Sequence, residues 1–337
     1  MRRKVLATAL AAVMVLTLGA CSSGEKKAET TASGTTAEAG AETTEKAAEE
    51  TTDSKSSDEK GKLIGISVAD QSNVFYVDIL AGMEEAKQDG DEFVIMDAGF
   101  DAAKQMDDIE DMITQGVQVM LIDPVDSNAI KTSLDACNKA GIPIICYNSP
   151  VAADLAEQVD STVATDNVMA GNLAGEAMAK GMGEKGKVAL LTYNVAEVTA
   201  DRANGFMDVL KKYPDIEIVE QQEIEPGTDT ALPVAENILQ AYPDLTGFFA
   251  INDPSALGIV AAAETAGMLD QLTIVGVDGS EEAKASIKEG KMYASAAQYP
   301  KEIGKISIET AYKVLNGETV EKDTKVDSGL IDASNAE

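Results

Sequence analysis

Residues 247–279 read GFFAINDPSALGIVAAAETAGMLDQLTIVGVDG. The pattern is strand, helix, strand, and each strand closes on a polar residue. Gly247 to Ile251 is a short apolar run, as expected of a strand buried on both faces. Asn252-Asp253-Pro254 ends it; Asp253 suits the helix cap and Pro254 the first helical turn. Ala256 to Ala266 is an Ala-rich helix, stopped by Gly267 where a left-handed residue is wanted. Ile274 to Val277 is the next strand, closed by Asp278-Gly279. In open parallel sheets, ligands occupy the crevice at the carboxyl ends of strands. Asn252 and Asp278 stand at two such ends, and both carry forked polar groups suited to neighbouring hydroxyls.

The same alternation extends outward from this run. Strands are predicted at Leu63–Ala69, Phe93–Asp97, Val117–Ile122, Ile142–Tyr147, Ser161–Thr165, Lys187–Thr192, Glu217–Gln222 and Met292–Ala297. Helices are predicted at Val74–Gln88, Ala102–Gln115, Ser127–Ala140, Asn167–Lys180, Thr199–Lys211, Thr228–Gln240 and Pro300–Leu315. Apolar strands alternating with helices mean parallel sheets covered by helices, an α/β fold. Two such sheets accommodate this many strands better than one.

The first 60 residues have a different character. Arg2, Arg3 and Lys4 precede an apolar segment, Val5 to Leu18, too short for a stable membrane span. It ends Leu18-Gly19-Ala20-Cys21, which resembles a bacterial lipobox. That resemblance implies a signal peptide over 1–20, cleavage before Cys21 and a lipid on its sulfur. Residues 21–61 hold no large apolar residue and are expected to be a disordered tether from a membrane anchor. The expected location is the outer face of a cytoplasmic membrane, an arrangement of Gram-positive type.

Composition excludes several functions. The formal charge is −31, and loss of the leader's three cations takes the mature chain to −34. So acidic a protein does not bind nucleic acid. The absence of histidine removes Ser-His and Cys-His nucleophiles and His-based metal sites. Cys137 and Cys146, in a helix and an apolar strand, are expected to be buried free thiols.

Residues 62–332 resemble the type I periplasmic binding proteins, in particular the ribose- and galactose-binding group of sugar ABC transporters. The resemblance rests on Asn73-Val74-Phe75-Tyr76, on Ile122-Asp123-Pro124 with Asp126-Ser127, and on Asp166-Asn167. Arg202 with Gly205-Phe206, Asn252-Asp253, Val275-Gly276-Val277-Asp278-Gly279 and Ala297-Gln298 follow in order. It implies two Rossmann-like lobes, each a parallel sheet flanked by helices, joined by three crossovers near 165–166, 298–299 and 326. Lobe one would be 62–165 plus 299–326, and lobe two 166–298 plus 327–337. A solute, a monosaccharide by resemblance, would lie in the cleft, and hinge closure would present it to an ABC permease. No cofactor, no metal and no catalysis are expected, and the protein is expected to be a monomer.

The resemblance also places the site. Phe75 and Tyr76 match positions where an aromatic stacks on the sugar ring, and Asn73 matches a polar contact. Arg202 matches a cleft arginine; Asn252, Asp278 and Gln298 match hydroxyl-binding positions. Asp123 and Asn148 complete the set. Departures accompany the match. Tyr147-Asn148-Ser149 replaces the Asp-Arg pair of the ribose type, Asp123 replaces an asparagine, and Pro226 replaces an aromatic. With no tryptophan to stack from lobe two, Tyr193 is the candidate substitute. A sensor lipoprotein of the same fold, or a non-sugar solute such as a nucleoside or autoinducer-2, is the competing reading. A carboxylate-pair glycosidase using Asp123 and Asp278 is the competing enzyme.

Overall fold

The computed structural model describes residues 61–337; the expected leader, Cys21 and the tether up to residue 60 lie outside the described residues. Each sheet grows from strands whose two faces are both apolar. In β3 (Val119–Ile122), Val119 and Leu121 face one core while Met120 and Ile122 face another. In β8 (Gly247–Ala250), Phe248 and Phe249 divide in the same way. Burial on both faces is why these segments are continuous apolar runs, not alternating ones.

The first sheet contains β1 (Leu63–Val68), β2 (Glu92–Asp97), β3, β4 (Ile144–Tyr147) and β5 (Ser161–Thr165), in the order β2-β1-β3-β4-β5, all parallel. The second contains β6 (Gly186–Thr192), β7 (Ile216–Glu223), β8, β9 (Thr273–Asp278) and β10 (Ala294–Ala297), in the matching order β7-β6-β8-β9-β10. One late strand extends each sheet. β11 (Asp323–Val326) adds to β5 in parallel, and β12 (Gly329–Asp332) adds to β10 antiparallel. The second sheet is therefore parallel except for this edge strand. Neither short strand shows in the pattern, because each is a four-residue edge whose side chains, Val326 apart, are half-buried or exposed.

The helices follow the same logic. They are α1 (Val74–Ala86), α2 (Ala102–Gln115), α3 (Lys131–Ala140), α4 (Asn167–Gly181), α5 (Glu197–Leu210), α6 (Thr228–Ala241), α7 (Asp253–Ala266), α8 (Glu281–Lys288) and α9 (Pro300–Leu315). Three corrections are physical. Helix α3 starts at Lys131 because Asp126 ties the preceding turn through the Asn128 and Ala129 amides. Asn252, not Asp253, caps α7: its Oδ1 accepts from the Ser255 amide at 3.0 Å. Helix α8 escapes the sequence pattern because it is only two turns long and half its residues are charged. Cys137 and Cys146 are buried and free, and burial pushes the Cys137 thiol up to about 12.

The chain passes from the first sheet to the second after β5, returns after β10 through α9, which packs on α1, and passes over again between β11 and β12. Both lobes pack one helix pair at glycine contacts. A Cβ on Gly304 of α9 would meet the Ile79 carbonyl of α1 at 2.0 Å. A Cβ on Gly171 of α4 would meet the Arg202 carbonyl of α5 at 2.1 Å. Gly304→Ala is therefore expected to force α1 and α9 apart and cost about 1–3 kcal/mol. A lower melting temperature in thermal denaturation checks it; an unchanged one would show that the helices separate freely.

Candidate functional site

The strand orders reverse at β1/β3 in the first sheet and at β6/β8 in the second, so a crevice opens at those carboxyl ends. Two groups of polar side chains occupy it, one from each lobe.

In lobe two the centre is Arg202, on the buried face of α5 and only 5% exposed. Its Nε donates to Asn167 Oδ1 at 2.8 Å, its Nη1 donates to the Ile251 carbonyl at 3.0 Å, and Nη1 stands 3.5 Å from Asp278 Oδ1. It does not pair with Asp201, the surface alternative. Among the described residues, Nη2 has no hydrogen-bond partner. Asp278 leaves β9 at φ 133°, strained for any residue but glycine. What holds it there is its bonding: Gln298 Nε2 donates to Oδ1 at 2.7 Å, and the Asp253 amide donates to Oδ2 at 3.3 Å. Asp278 does not cap α8, the helix that follows it; Ser280 does. Gln298 in turn accepts from Thr165 Oγ1 at 2.7 Å, linking two crossovers. Behind them Asp253 is fully buried, accepting from Ser295 Oγ at 2.6 Å and from the Ser280 amide at 2.8 Å. Burial and the neighbouring Asp278 carboxylate raise its pKa. Burial also raises Asp278, with Arg202 opposing.

In lobe one Asp123 follows β3 and is 1% exposed. Asn148 Nδ2 donates to its Oδ2 at 3.2 Å, while Oδ1 has no hydrogen bond. Asn148 follows β4 at φ 61°, a left-handed conformation that asparagine tolerates. Gln105 of α2 fixes the loop: its Nε2 donates to the Asp123 carbonyl at 2.7 Å, and its Oε1 accepts from the Val125 amide at 2.9 Å. Burial raises Asp123 from 3.8 to about 7, with Ser149 and Asn148 opposing. Phe75 and Tyr76 meet edge to face at 5.6 Å, and Tyr76 meets Phe100 at 6.1 Å. Burial, Asp123 and Asp70 push the Tyr76 hydroxyl well up, while Arg202 across the cleft pulls it down. Tyr76 thus feels both lobes.

The structure links Arg202, Asp278 and Gln298 directly, joins Asp123 to Asn148, and sets Tyr76 between the groups. Asn73 and Asn252 stand apart: each uses its Oδ1 to cap a helix, Asn73 from the Phe75 amide at 3.0 Å, and each keeps its amide nitrogen unbonded. Tyr193 is half-buried against the lobe-two core. Residues that sequence reasoning did not assign support the site. Asn167 and Asp253 were adjacent to recognised residues, whereas Gln105 resembles any polar helical residue and gave no signal. Among the described residues no group of three or more carboxylate or thiol ligands could hold a metal ion.

The arrangement offers forked donors and acceptors with an aromatic flank, suited to a small polyhydroxylated solute. Comparisons with known proteins point the same way. A family model described as periplasmic binding protein domain matches residues 64–319. The chain is 38% identical over 273 residues to the ribose import binding protein of Bacillus subtilis (strain 168), covering 80% of this chain and 87% of that protein. It also resembles an ABC transporter solute-binding protein from Actinobacillus succinogenes with bound D-allose, at TM-score 0.77 and 32% identity over 82% of this chain and 99% of that one. A solute-binding protein from Bacillus halodurans with bound myo-inositol matches at TM-score 0.76 and 28% identity, over 83% and 97% of the two chains.

Asp123 gives a pH signature. Its carboxyl holds a proton to about pH 7 in the folded chain, but only to its ordinary 3.8 when unfolded. The folded state binds the extra proton between those values, so this contribution is fully present below pH 4 and is lost as pH rises through 7. Asp123→Asn is expected to flatten the fall in stability between pH 5 and 8 by on the order of a few kcal/mol. Chemical denaturation of both proteins at the two pH values measures it, and identical profiles would remove Asp123 as a titrating group.

Proposed function

The chain belongs to the periplasmic binding protein family, and from that premise we propose that it captures a monosaccharide between its lobes and delivers it to an ABC transporter permease. It is a binding protein and not an enzyme. The observation that carries the sugar reading is the Arg202 cluster: a buried guanidinium, fixed on three sides, with Nη2 unbonded at the carboxyl ends of β8 and β9. Such a group donates to hydroxyl or ring oxygens without having to be ordered first.

In this reading Arg202, Asp278, Gln298 and Asn252 take hydroxyls from lobe two. Asn73, Asp123 and Asn148 take them from lobe one, and Phe75 and Tyr76 cover a ring face. Lobe one comprises 62–165 with 299–326, and lobe two 166–298 with 327–337. Closure turns on the crossovers, where Thr165 and Gln298 already touch. Solute that bridges the lobes stabilises the closed state, which is the form a permease recognises. The protein acts as a monomer, held by a lipid on Cys21 to the outer face of the membrane, as in Gram-positive cells.

Three measurements test this. A thermal-shift screen against pentoses, hexoses, cyclitols, nucleosides and amino acids is expected to give a stereospecific sugar hit, because a ligand of the folded state raises the melting temperature. A hit confined to nucleosides or amino acids overturns the sugar. Arg202→Ala is expected to weaken that binding by on the order of 2–4 kcal/mol in calorimetry; undiminished affinity removes Arg202 from the cleft. Cys21→Ser is expected to move the expressed protein from the membrane to the soluble fraction, and retention on the membrane would refute the lipid anchor.

A further inference from the structure

The two halves of the cleft differ in charge balance. Arg202 and Asp278 oppose each other within lobe two. Asp123 on the facing lobe has no such partner. The groups around it are Tyr76 from α1, Cys146 and Tyr147 from β4, and Asn148 and Ser149 from the loop after β4. None is a cation. Across the cleft the charged groups that bear on Tyr76 are Arg202 and Asp278, and Asp70 does so from lobe one. The backbone that carries Asp123 is held in place: its amide donates to the Ser67 carbonyl at 3.0 Å and its carbonyl accepts from Gln105 Nε2 at 2.7 Å.

A buried carboxylate held only by neutral groups, Asn148 and Ser149, is unfavourable, and a proton or a cation compensates it. Among the described residues none supplies a cation there, whereas a solute can. Among the described residues, three oxygens on this side receive no hydrogen bond: Asp123 Oδ1, Asn148 Oδ1 and the Tyr76 hydroxyl. A sugar hydroxyl has one proton to donate, while an ammonium has three. The net charge of −31 also draws cationic solutes from solution.

We propose that the solute of this cleft carries a protonated amine among its hydroxyls, an aminodeoxy sugar in place of a neutral one, and that the ammonium docks on Asp123. The inference rests on the cleft being a sugar site. In the docked state the ammonium donates to Asp123 Oδ1 and has Asn148 Oδ1 and the Tyr76 oxygen as further acceptors. The hydroxyls face Arg202, Asp278 and Gln298.

The test is calorimetry on the full chain with aminodeoxy pentoses and hexoses, each beside its hydroxyl parent and its N-acetyl derivative. An aminodeoxy sugar is expected to bind at least about tenfold more tightly than either control, with no net proton uptake when two buffers of different ionisation enthalpy are compared. In Asp123→Asn the preference over the parent is expected to fall to about onefold, since the ion pair is gone. The buffer comparison on the unaltered protein stands even if that variant does not fold. A neutral parent that binds as tightly as its amine, or binds with uptake of a proton, overturns the inference and leaves the sugar site intact. Silence from every sugar, amino or neutral, overturns the sugar site and the inference with it.

Discussion

A buried guanidinium is the constraint on which the rest of this site depends. Removing a charge from water costs several kcal/mol unless partners replace the lost hydration. Arg202 finds those partners on three different segments: Asn167 just past the first crossover, the Ile251 carbonyl at the end of β8, and Asp278 at the end of β9. Satisfying one side chain therefore fixes three strand or crossover ends relative to each other. The tight passage of Gly171 beneath the Arg202 carbonyl sets how deeply α5 can seat, and so where the guanidinium lies.

The same constraint reaches the hinge. Asp278 is held by Gln298, and Gln298 by Thr165 on the last residue of β5. A solute that draws on Arg202 or Asp278 thus pulls on groups bonded to two of the three crossovers. At the third crossover Ser328 Oγ donates to the Ala297 carbonyl at 2.6 Å, tying it back to β10. On the proposed reading, contiguous hydrogen bonds join the solute's partners to the crossovers about which the lobes would close.

What the sequence shows of this molecule follows from what each part buries. Strands covered on both faces announce themselves, and β3 and β8 are legible for that reason. β11, β12 and α8 bury little, and their residues look like loop. Polar residues at strand ends were legible as candidates because a parallel sheet leaves its ligands nowhere else to sit. Their division of labour was not. Nothing in the string of letters says that Asn252 caps α7 while Asp253 beside it is buried, or that Gln105 reaches from α2 to hold the loop of Asp123. Those facts depend on which neighbours the fold delivers, and the neighbours lie far away in sequence.

The two lobes repeat one topology but leave their carboxylates in unlike states. Asp278 is bonded through both oxygens and faces a guanidinium before any solute arrives. On the proposed reading little is gained there by reorganisation, and lobe two is a preorganised template for shape and hydroxyl geometry. Asp123 is equally hidden but keeps one oxygen without a donor. A group of that kind gains most from a partner, because an unmet buried acceptor carries its desolvation penalty until something bonds it. On the proposed reading, the free energy that favours the closed form would therefore come disproportionately from lobe one, and the precision of the fit from lobe two.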